Sequence, residues 1–452
     1  MAKQVNATDG VFGVRRLLLH LPKSDLRLLE YLGLQAKKLY NAGNFVARQP
    51  FFKRGKIVSR FDLLYADGVR DSLHLKAMPS TTAQQTLLSV SEAWSSFREL
   101  RNLWFKGGCP PDRKPRPPAY LERGLFKLAF PNSGGGKPKI VDIGGKSMIR
   151  FPLGQLNSVW FGVRELLIPA PSDFDLSQVR EYTFVPQNGA WYLELSYRKP
   201  KPAGVNVDPA LMLACDLGTS ANLVAAVGTD ESNLLIDARQ LKAMNQGYNR
   251  LVARRKAGKP EGYWDAYLDR LTRKRNDRMR DGINKAARLV LNHCLERGIG
   301  AVVVGWNSGI KNRVDLGSRE NQKFVQMPLA RLKDRIGQLC EEYGLAFWEQ
   351  EESYTSVSSH LDGDTPPVYG QKPDGWTPSG RRVKRGLYRT ERKEKINADL
   401  NGAANICQKW HVARKPVEGS LQPDRRGRPC LTTAKRVRLW ALPGARSASA
   451  SR

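Results

Sequence analysis

The chain has 452 residues, enough for roughly two to four domains that each bury a core. Hydrophobic residues make up 41% of it, which excludes a broadly disordered protein. Lysine and arginine number 74 against 43 aspartate and glutamate, so the net charge is +31 and a polyanionic partner is expected.

Six cysteines are spread along the chain, and no two of them form a CxxC pair. This pattern is typical of reduced, mostly buried thiols and does not indicate a zinc site. The N-terminus lacks the apolar core of a signal peptide, and no apolar run reaches the length of a membrane span. We therefore expect a cytoplasmic, nucleoid-associated protein without a membrane partner, present as a monomer or weak dimer.

The first 205 residues predict a β module that is interrupted by helices. A strand is predicted at 14–20, and Ser24 is the expected cap of the helix that follows. A second helix begins near Ser80, and the proline-rich stretch 109–118 is a linker. Asn188-Gly189 lies between two strand-like runs, which predicts a β-hairpin.

From residue 206 the predicted order is three strands, helix, strand, helix, strand and helix. This succession is typical of an RNase H-like mixed sheet with helices on its faces. The arginine-, proline- and serine-rich end from residue 411 is expected to be mostly disordered. The predicted strands are 211–216, 223–227, 233–236, 301–304 and 346–349, and the predicted helices are 263–296, 328–343 and 396–410.

Two aspartates are candidate metal ligands. Asp216 ends an apolar strand, although alone it is more typical of a turn. Asp399 shares a predicted helix face with Ile396, Ala403 and Ile406. An ionised carboxylate in an apolar stripe needs a partner, which would be a metal ion, an arginine or a backbone amide. Carboxylates that hold two divalent ions support phosphodiester hydrolysis, and oxygen ligands favour Mg²⁺ or Mn²⁺.

Two basic segments are candidate nucleic-acid contacts. One is a helical ridge with cations four residues apart, and the other is a basic loop at 356–395. Either set also fits an ordinary solvated charged face. The candidates are Arg270, Arg273, Lys274 and Arg278 on the ridge, and Arg381, Arg382, Lys384 and Arg385 in the loop.

The C-terminal half resembles TnpB, the nuclease encoded by certain insertion sequences and related to type V CRISPR effectors. The resemblance rests on several motifs that occur in order. They are Asp216-Leu217-Gly218 with Asn222-Leu223, the segment 241–249, Arg273-Lys274-Arg275, the strand 301–304, Tyr354-Thr355-Ser356, and the segment 397–406 with Asp399.

The resemblance implies an α+β multidomain fold with a RuvC-like nuclease domain at 206–410, a wedge β domain at 1–22 and 119–205, and a helical recognition lobe at 23–118. It implies a guide RNA and a target DNA as partners, Mg²⁺ or Mn²⁺ as cofactor, and a role in transposition and DNA recombination. Two alternatives remain open. One is a repressor that is guided by RNA but does not cut, and the other is a DNA-strand transferase.

The sequence departs from the family pattern in two places. Most relatives have a glutamate at the end of the fourth RuvC strand, where this chain has Gly305. Some carry it just before the Thr-Ser element, which implies that Glu352 completes the metal and catalytic set with Asp216 and Asp399, with Glu351 as the alternative to Glu352. Many relatives also have a four-cysteine zinc ribbon, but residues 356–395 contain no cysteine, so no zinc is expected.

Overall fold

The computed structural model describes residues 11–108, 112–200, 202, 204–218, 221–307, 327–384, 386–413 and 431–440, without the side chains of Arg60 and Phe61. The chain divides into two compact units, Met1–Pro200 and Lys201–Arg452. No helix within these ranges is long and apolar enough to cross a membrane.

The first unit contains two antiparallel sheets. Its strands are β1 Val11–Leu18, β2 Leu128–Pro131, β3 Lys139–Ile143, β4 Lys146–Pro152, β5 Glu165–Pro169, β6 Val179–Gln187 and β7 Ala190–Lys199. One sheet has four strands in the order β1-β7-β6-β2, and the other has three in the order β3-β4-β5. The predicted hairpin is confirmed, because Asn188 and Gly189 have φ values of 48° and 63° between β6 and β7.

Five helices lie between β1 and β2 in the chain, in the place where a helical insertion is predicted. The prediction that Ser24 caps the first helix is wrong. Pro22 precedes that helix, and the Ser24 hydroxyl donates to the side chain of Asp25 instead. The helices of this unit are α1 Lys23–Arg54, α2 Arg60–Tyr65, α3 Asp67–Arg70, α4 Leu73–Lys76, α5 Ser80–Phe105 and α6 Gln155–Phe161, with a 3₁₀ turn at Leu176–Gln178.

The second unit is built on a mixed six-stranded sheet. Its strands are β8 Asp208–Leu217, β9 Asn222–Gly228, β10 Asn233–Asp237, β11 Ile299–Gly305, β12 Ala346–Gln350 and β16 Lys435–Val437. Their order in the sheet is β12-β11-β8-β9-β10-β16. Strands β8, β9 and β10 are antiparallel neighbours, whereas β11 and β12 run parallel to β8. All five predicted strands are confirmed.

Helices cover both faces of this sheet, as predicted. The remaining elements of this unit are α7 Arg239–Lys256, α8 Ala266–Arg297, α9 Leu329–Tyr343 and α10 Ala398–Ala413, and a small sheet of β13 Arg381–Lys384, β14 Leu387–Arg389 and β15 Lys395–Asn397. Leu213 and Cys215 of β8 share a buried core with α8 and α9, and Met212 and Ala214 face the other way, where they pack with Ile406 of α10.

Two boundaries differ from the prediction. Helix α10 begins at Ala398 and not at Ile396, because the Asn397 side chain accepts hydrogen bonds from the backbone N–H groups of Asp399 and Leu400. Helix α7 was not predicted at all. Its sequence is strongly basic and it buries only Leu241 and Asn245, so it has almost no apolar stripe.

Disorder is expected for most of the end from residue 411, but the residues that the structure describes there, 411–413 and 431–440, include regular secondary structure. Helix α10 continues to Ala413, and β16 pairs in parallel with β10. Trp440 fixes this last segment, because its indole N–H donates to Asp281 and its backbone carbonyl accepts from Gln240. Residues 414–430 and 441–452 lie outside the described ranges.

Candidate active site

The alternation of side chains along β8 places Asp216 on the face that α10 covers. Met212 and Ala214 point toward this helix, and Asp216 follows them at the same period of two. One oxygen of Asp216 lies 2.9 Å from where a Cβ would stand on Gly402 of α10. A larger residue at 402 would displace the carboxylate, so the glycine allows Asp216 to approach the helix.

Asp399 enters from the first turn of α10 and has two side-chain partners. Arg382 of β13 donates to one of its oxygens at 2.9 Å, and Asn222 at the start of β9 donates to the other at 2.8 Å. The Asp399 side chain is 17% exposed. Arg382 was predicted to contact nucleic acid, but in this structure it lies at the carboxylates and neutralises part of their charge.

Glu352 follows the end of β12 and faces the same region. Its backbone N–H donates to Asn307 at 3.1 Å, and the Thr355 hydroxyl donates to its carbonyl at 2.8 Å. Its carboxylate has no hydrogen-bond donor among the described side chains. Glu351 points elsewhere, because its carboxylate is held by Lys409 and by the backbone N–H of Ser353. The geometry therefore favours Glu352 over Glu351.

Gly305 provides the space that the Glu352 carboxylate uses. A Cβ at position 305 would lie 2.7 Å from Glu352 Oε2 and 2.4 Å from Ile406 Cδ1. These distances are shorter than van der Waals contacts, so any side chain at 305 would compete with Glu352 for the same place. The absence of a side chain at Gly305 thus allows the Glu352 carboxylate to occupy this space.

Asp216 lies close enough to the other two carboxylates to feel their charges. Burial, together with the charges of Glu352 and Asp399, raises the pKa of Asp216 to about 8 against the opposing effect of Arg382. Burial, together with the charge of Glu351, raises the pKa of Glu352 to about 7 against the opposing effect of Lys409. Acidic groups with these surroundings bind either protons or a cation near neutral pH.

The donor atoms of the site fit a hard divalent ion. The carboxylates of Asp216 and Glu352 have no hydrogen-bond donors in the described part of the chain, and the buried Oδ1 of Asn222 has no partner there either. Such oxygens are the ligands that Mg²⁺ prefers. No three His, Cys, Asp or Glu side chains among the described residues are already gathered tightly enough to hold an ion, and Arg382 is bound to Asp399.

This charge distribution predicts a stability effect in the metal-free protein. Because folding raises the pKa of Asp216 from 3.8 to about 8, the folded state keeps a proton that the unfolded state releases, and stability falls as pH rises through that window. We expect Asp216→Asn to raise Tm at pH 8 by about 3 °C and to change it much less at pH 4. Thermal unfolding in EDTA at both pH values measures this, with Asp230→Asn as the control. An equal shift at both pH values would contradict it.

The other predicted nucleic-acid residues lie on α8 and on or beside β13 in the sequence. Arg270, Lys274 and Arg278 are exposed at four-residue spacing on α8, and Arg273 beside them is half-buried. Arg381 and Lys384 are exposed on β13, and Arg385 lies outside the described residues. The structure thus presents basic side chains to solvent on α8 and β13.

Sequence reasoning missed the roles of Asn222 and Lys409. Asn222 was noted within the first motif, but nothing in its neighbours shows that its amide reaches Asp399, 177 residues later. Lys409 had a usable signal, because Asn401, Asn405 and Lys409 are polar residues at four-residue spacing on a helix that is otherwise buried.

Comparison with known proteins supports the resemblance. A family model described as "OrfB_IS605: Probable transposase" matches residues 195–311. The "TnpB-like protein ORF457" of Acidianus two-tailed virus is 23% identical over 429 residues, which cover 85% of this chain and 83% of that protein. A cryo-EM structure of a Cas12f1–sgRNA–target DNA complex aligns with a TM-score of 0.53 and 14% identity, over 85% of this chain and 83% of that one.

The architecture defines the fold, and the sequence matches show which proteins the chain resembles. A mixed six-stranded sheet, with three antiparallel strands, β11 and β12 parallel to β8, and β16 parallel to β10, covered by helices on both faces, matches the RuvC-like, RNase H-type fold. The Cas12f1 structure shares the α+β multidomain fold. The two sequence matches confirm the predicted relationship to the TnpB family.

Proposed function

We propose that this chain is an RNA-guided, Mg²⁺-dependent DNA endonuclease of the TnpB type. The observation that supports it most is the convergence of Asp216, Glu352 and Asp399. Asp216 comes from β8, Glu352 from the segment after β12, and Asp399 from α10. The charges of Glu352 and Asp399 both act on Asp216. Buried like charges are unfavourable unless protons or a cation bind there, and the free carboxylate oxygens of the cluster suit a metal ion.

In this proposal the three carboxylates hold Mg²⁺. When bound, the ion supplies an activated water and stabilises charge on the phosphate that is attacked. Asn222 orients Asp399 through the 2.8 Å hydrogen bond. Arg382, which binds Asp399 here, would exchange that bond for one to a DNA phosphate and so release the carboxylate for the metal.

The guide RNA belongs to the proposal through the family relationship and the charge. The similar Cas12f1 structure is a complex of that protein with an sgRNA and a target DNA. A net charge of +31 and the exposed cations of α8 and β13 suit partners of this kind. In such proteins base pairing selects the target, and the protein reads a short motif beside it.

One observation favours a nuclease-inactive, RNA-guided repressor as the second candidate. The Arg382–Asp399 ion pair occupies a carboxylate that catalysis requires. If Arg382 remained there with DNA bound, the protein would bind its target without cutting. Divalent-ion titration of the target-bound complex separates the two functions, because only the nuclease gains cleavage.

We predict that the purified protein carries a defined RNA. Non-specific nucleic acid is lost steeply as salt rises, whereas a cognate guide with shape-specific contacts is retained. The experiment is a wash at about 1 M NaCl, where surface charges are strongly screened, followed by sequencing of the RNA that remains. A single abundant species is the expected result, and protein that is RNA-free or bound to a random mixture would count against guided recognition.

A further inference from the structure

The segment that carries Glu352 has no regular secondary structure of its own. Strand β12 ends at Gln350, and residues 351–360 form successive turns. A glutamate at position 305 would be fixed by the ladders of β11 with β8 and β12, but Glu352 has no such ladder. Its carboxylate needs another anchor to be held where a metal ligand must be.

Helix α10 provides that anchor through a polar face. Asn401 donates to the carbonyl of Ser358 at 2.7 Å, and Asn405 donates to the carbonyls of Thr355 and Ser358 at 2.8 Å each. Both asparagines are fully buried. The helix thus satisfies backbone groups that a turn segment would otherwise leave unpaired in the interior.

Lys409 extends this face to the residues on either side of Glu352. Its ammonium donates to the Glu351 carboxylate, to the Ser353 carbonyl at 3.0 Å and to the Pro367 carbonyl at 2.9 Å. All three of its protons are therefore used. Lys409 is only 6% exposed, and Glu351 is its counter-charge. An ion pair with a buried lysine constrains geometry more than it adds stability.

We infer that the Lys409–Glu351 pair is a positioning device for the Glu352 carboxylate. It fixes residues 351 and 353, and the backbone of Glu352 is held separately by Asn307 and Thr355. The Glu352 carboxylate itself has no hydrogen bond to a described residue, and it fills the space above Gly305. The two adjacent glutamates thus have different roles, since Glu352 faces the site and Glu351 binds the lysine. This inference rests on the proposed metal-dependent function.

The test measures Mn²⁺ binding to the protein–RNA complex in the absence of DNA. EPR detects the Mn²⁺ that remains free. The Mn²⁺ binding that is lost in Asp216→Ala is the binding due to the site. Subtracting the binding that remains in this variant removes the contribution of the RNA. We expect Lys409→Met to weaken this part at least about tenfold, because a displaced supporting group typically lowers metal affinity by that factor. The Mg²⁺ concentration for half-maximal cleavage should rise in parallel, whereas RNA binding should not change.

Two further variants keep the test decisive. Lys333→Met is the matched control, because Lys333 pairs with Glu349 in the same unit but does not contact residues 351–358. It should leave Mn²⁺ binding unchanged. The double variant Glu351→Met with Lys409→Met removes both charges of the pair and leaves neither charge unpaired, so it should fold and still bind Mn²⁺ weakly. A folded double variant with wild-type Mn²⁺ affinity would overturn the positioning role.

The result also separates this inference from the proposed function. If Asp216→Ala abolishes Mn²⁺ binding and cleavage while Lys409→Met changes neither, the positioning role fails and the nuclease proposal stands. If Asp216→Ala retains both, the proposed metal site itself is wrong, whatever Lys409→Met does.

Discussion

Asp216→Ala and Asp399→Ala are each expected to reduce DNA cleavage by at least about 10³-fold, because metal ions contribute several kcal/mol to transition-state stabilisation and their ligands would be lost. Guide and target binding should remain near the wild-type level, since neither residue is an exposed cation. Single-turnover cleavage and a filter-binding assay on the same complexes measure the two properties.

The controls for this prediction are Asp230→Ala and Asp237→Ala. Both aspartates belong to the same unit, and Asp237 is buried in an ion pair with Arg239, but neither interacts with the carboxylate cluster. Cleavage by these variants should stay close to the wild type if they fold. Loss of DNA binding together with cleavage in Asp216→Ala would show that the residue has a structural role instead.

Glu352→Gln is expected to remove cleavage to the same extent, whereas Glu351→Gln should keep it within about tenfold at saturating Mg²⁺, because only support of the site is lost. The change to glutamine preserves shape and removes charge, so it isolates the carboxylate. Cleavage rates across a range of Mg²⁺ concentrations distinguish the two glutamates. Full activity of Glu352→Gln would contradict the assignment.

Position 305 supplies the complementary experiment. Gly305→Ala should reduce cleavage, because its methyl group would stand 2.7 Å from Glu352 Oε2. Gly305→Glu should partly restore activity to Glu352→Ala, provided that Ile406→Val removes the Cδ1 atom that lies 2.4 Å from the new Cβ. No rescue in the folded triple variant would mean that the two positions do not serve the same metal site.

The sheet of the second unit was predictable from sequence because its strands are continuous apolar runs with short breaks. Val302, Val303 and Val304, for example, are fully buried on both faces. Asp399 was predictable as a candidate for a related reason, since it places a charge within an apolar helix stripe, whereas Asp216 was a candidate because it ends an apolar strand within a family motif. A buried charge is informative because it is unfavourable without a partner.

The remaining features depend on contacts between distant segments. Strand β16 has only three residues, and its pairing with β10 joins residues about 200 positions apart, so no local pattern indicates it. Sequence reasoning favoured Glu352 and kept Glu351 as the alternative, but it could not show what separates them. In the structure Glu351 binds Lys409, which is 58 residues away from it in the chain.

The most direct test of the nuclease proposal is cleavage by the purified protein with its co-purified RNA. The substrate is a DNA library in which a sequence complementary to that RNA is flanked by randomised bases, incubated with Mg²⁺, with Mn²⁺ or with EDTA. We predict double-strand cleavage of matched targets beside one short flanking motif, only with a divalent ion, and none with Asp216→Ala. Matched targets that are bound but never cut with any divalent ion, or cleavage that needs no complementarity to the RNA, would contradict it.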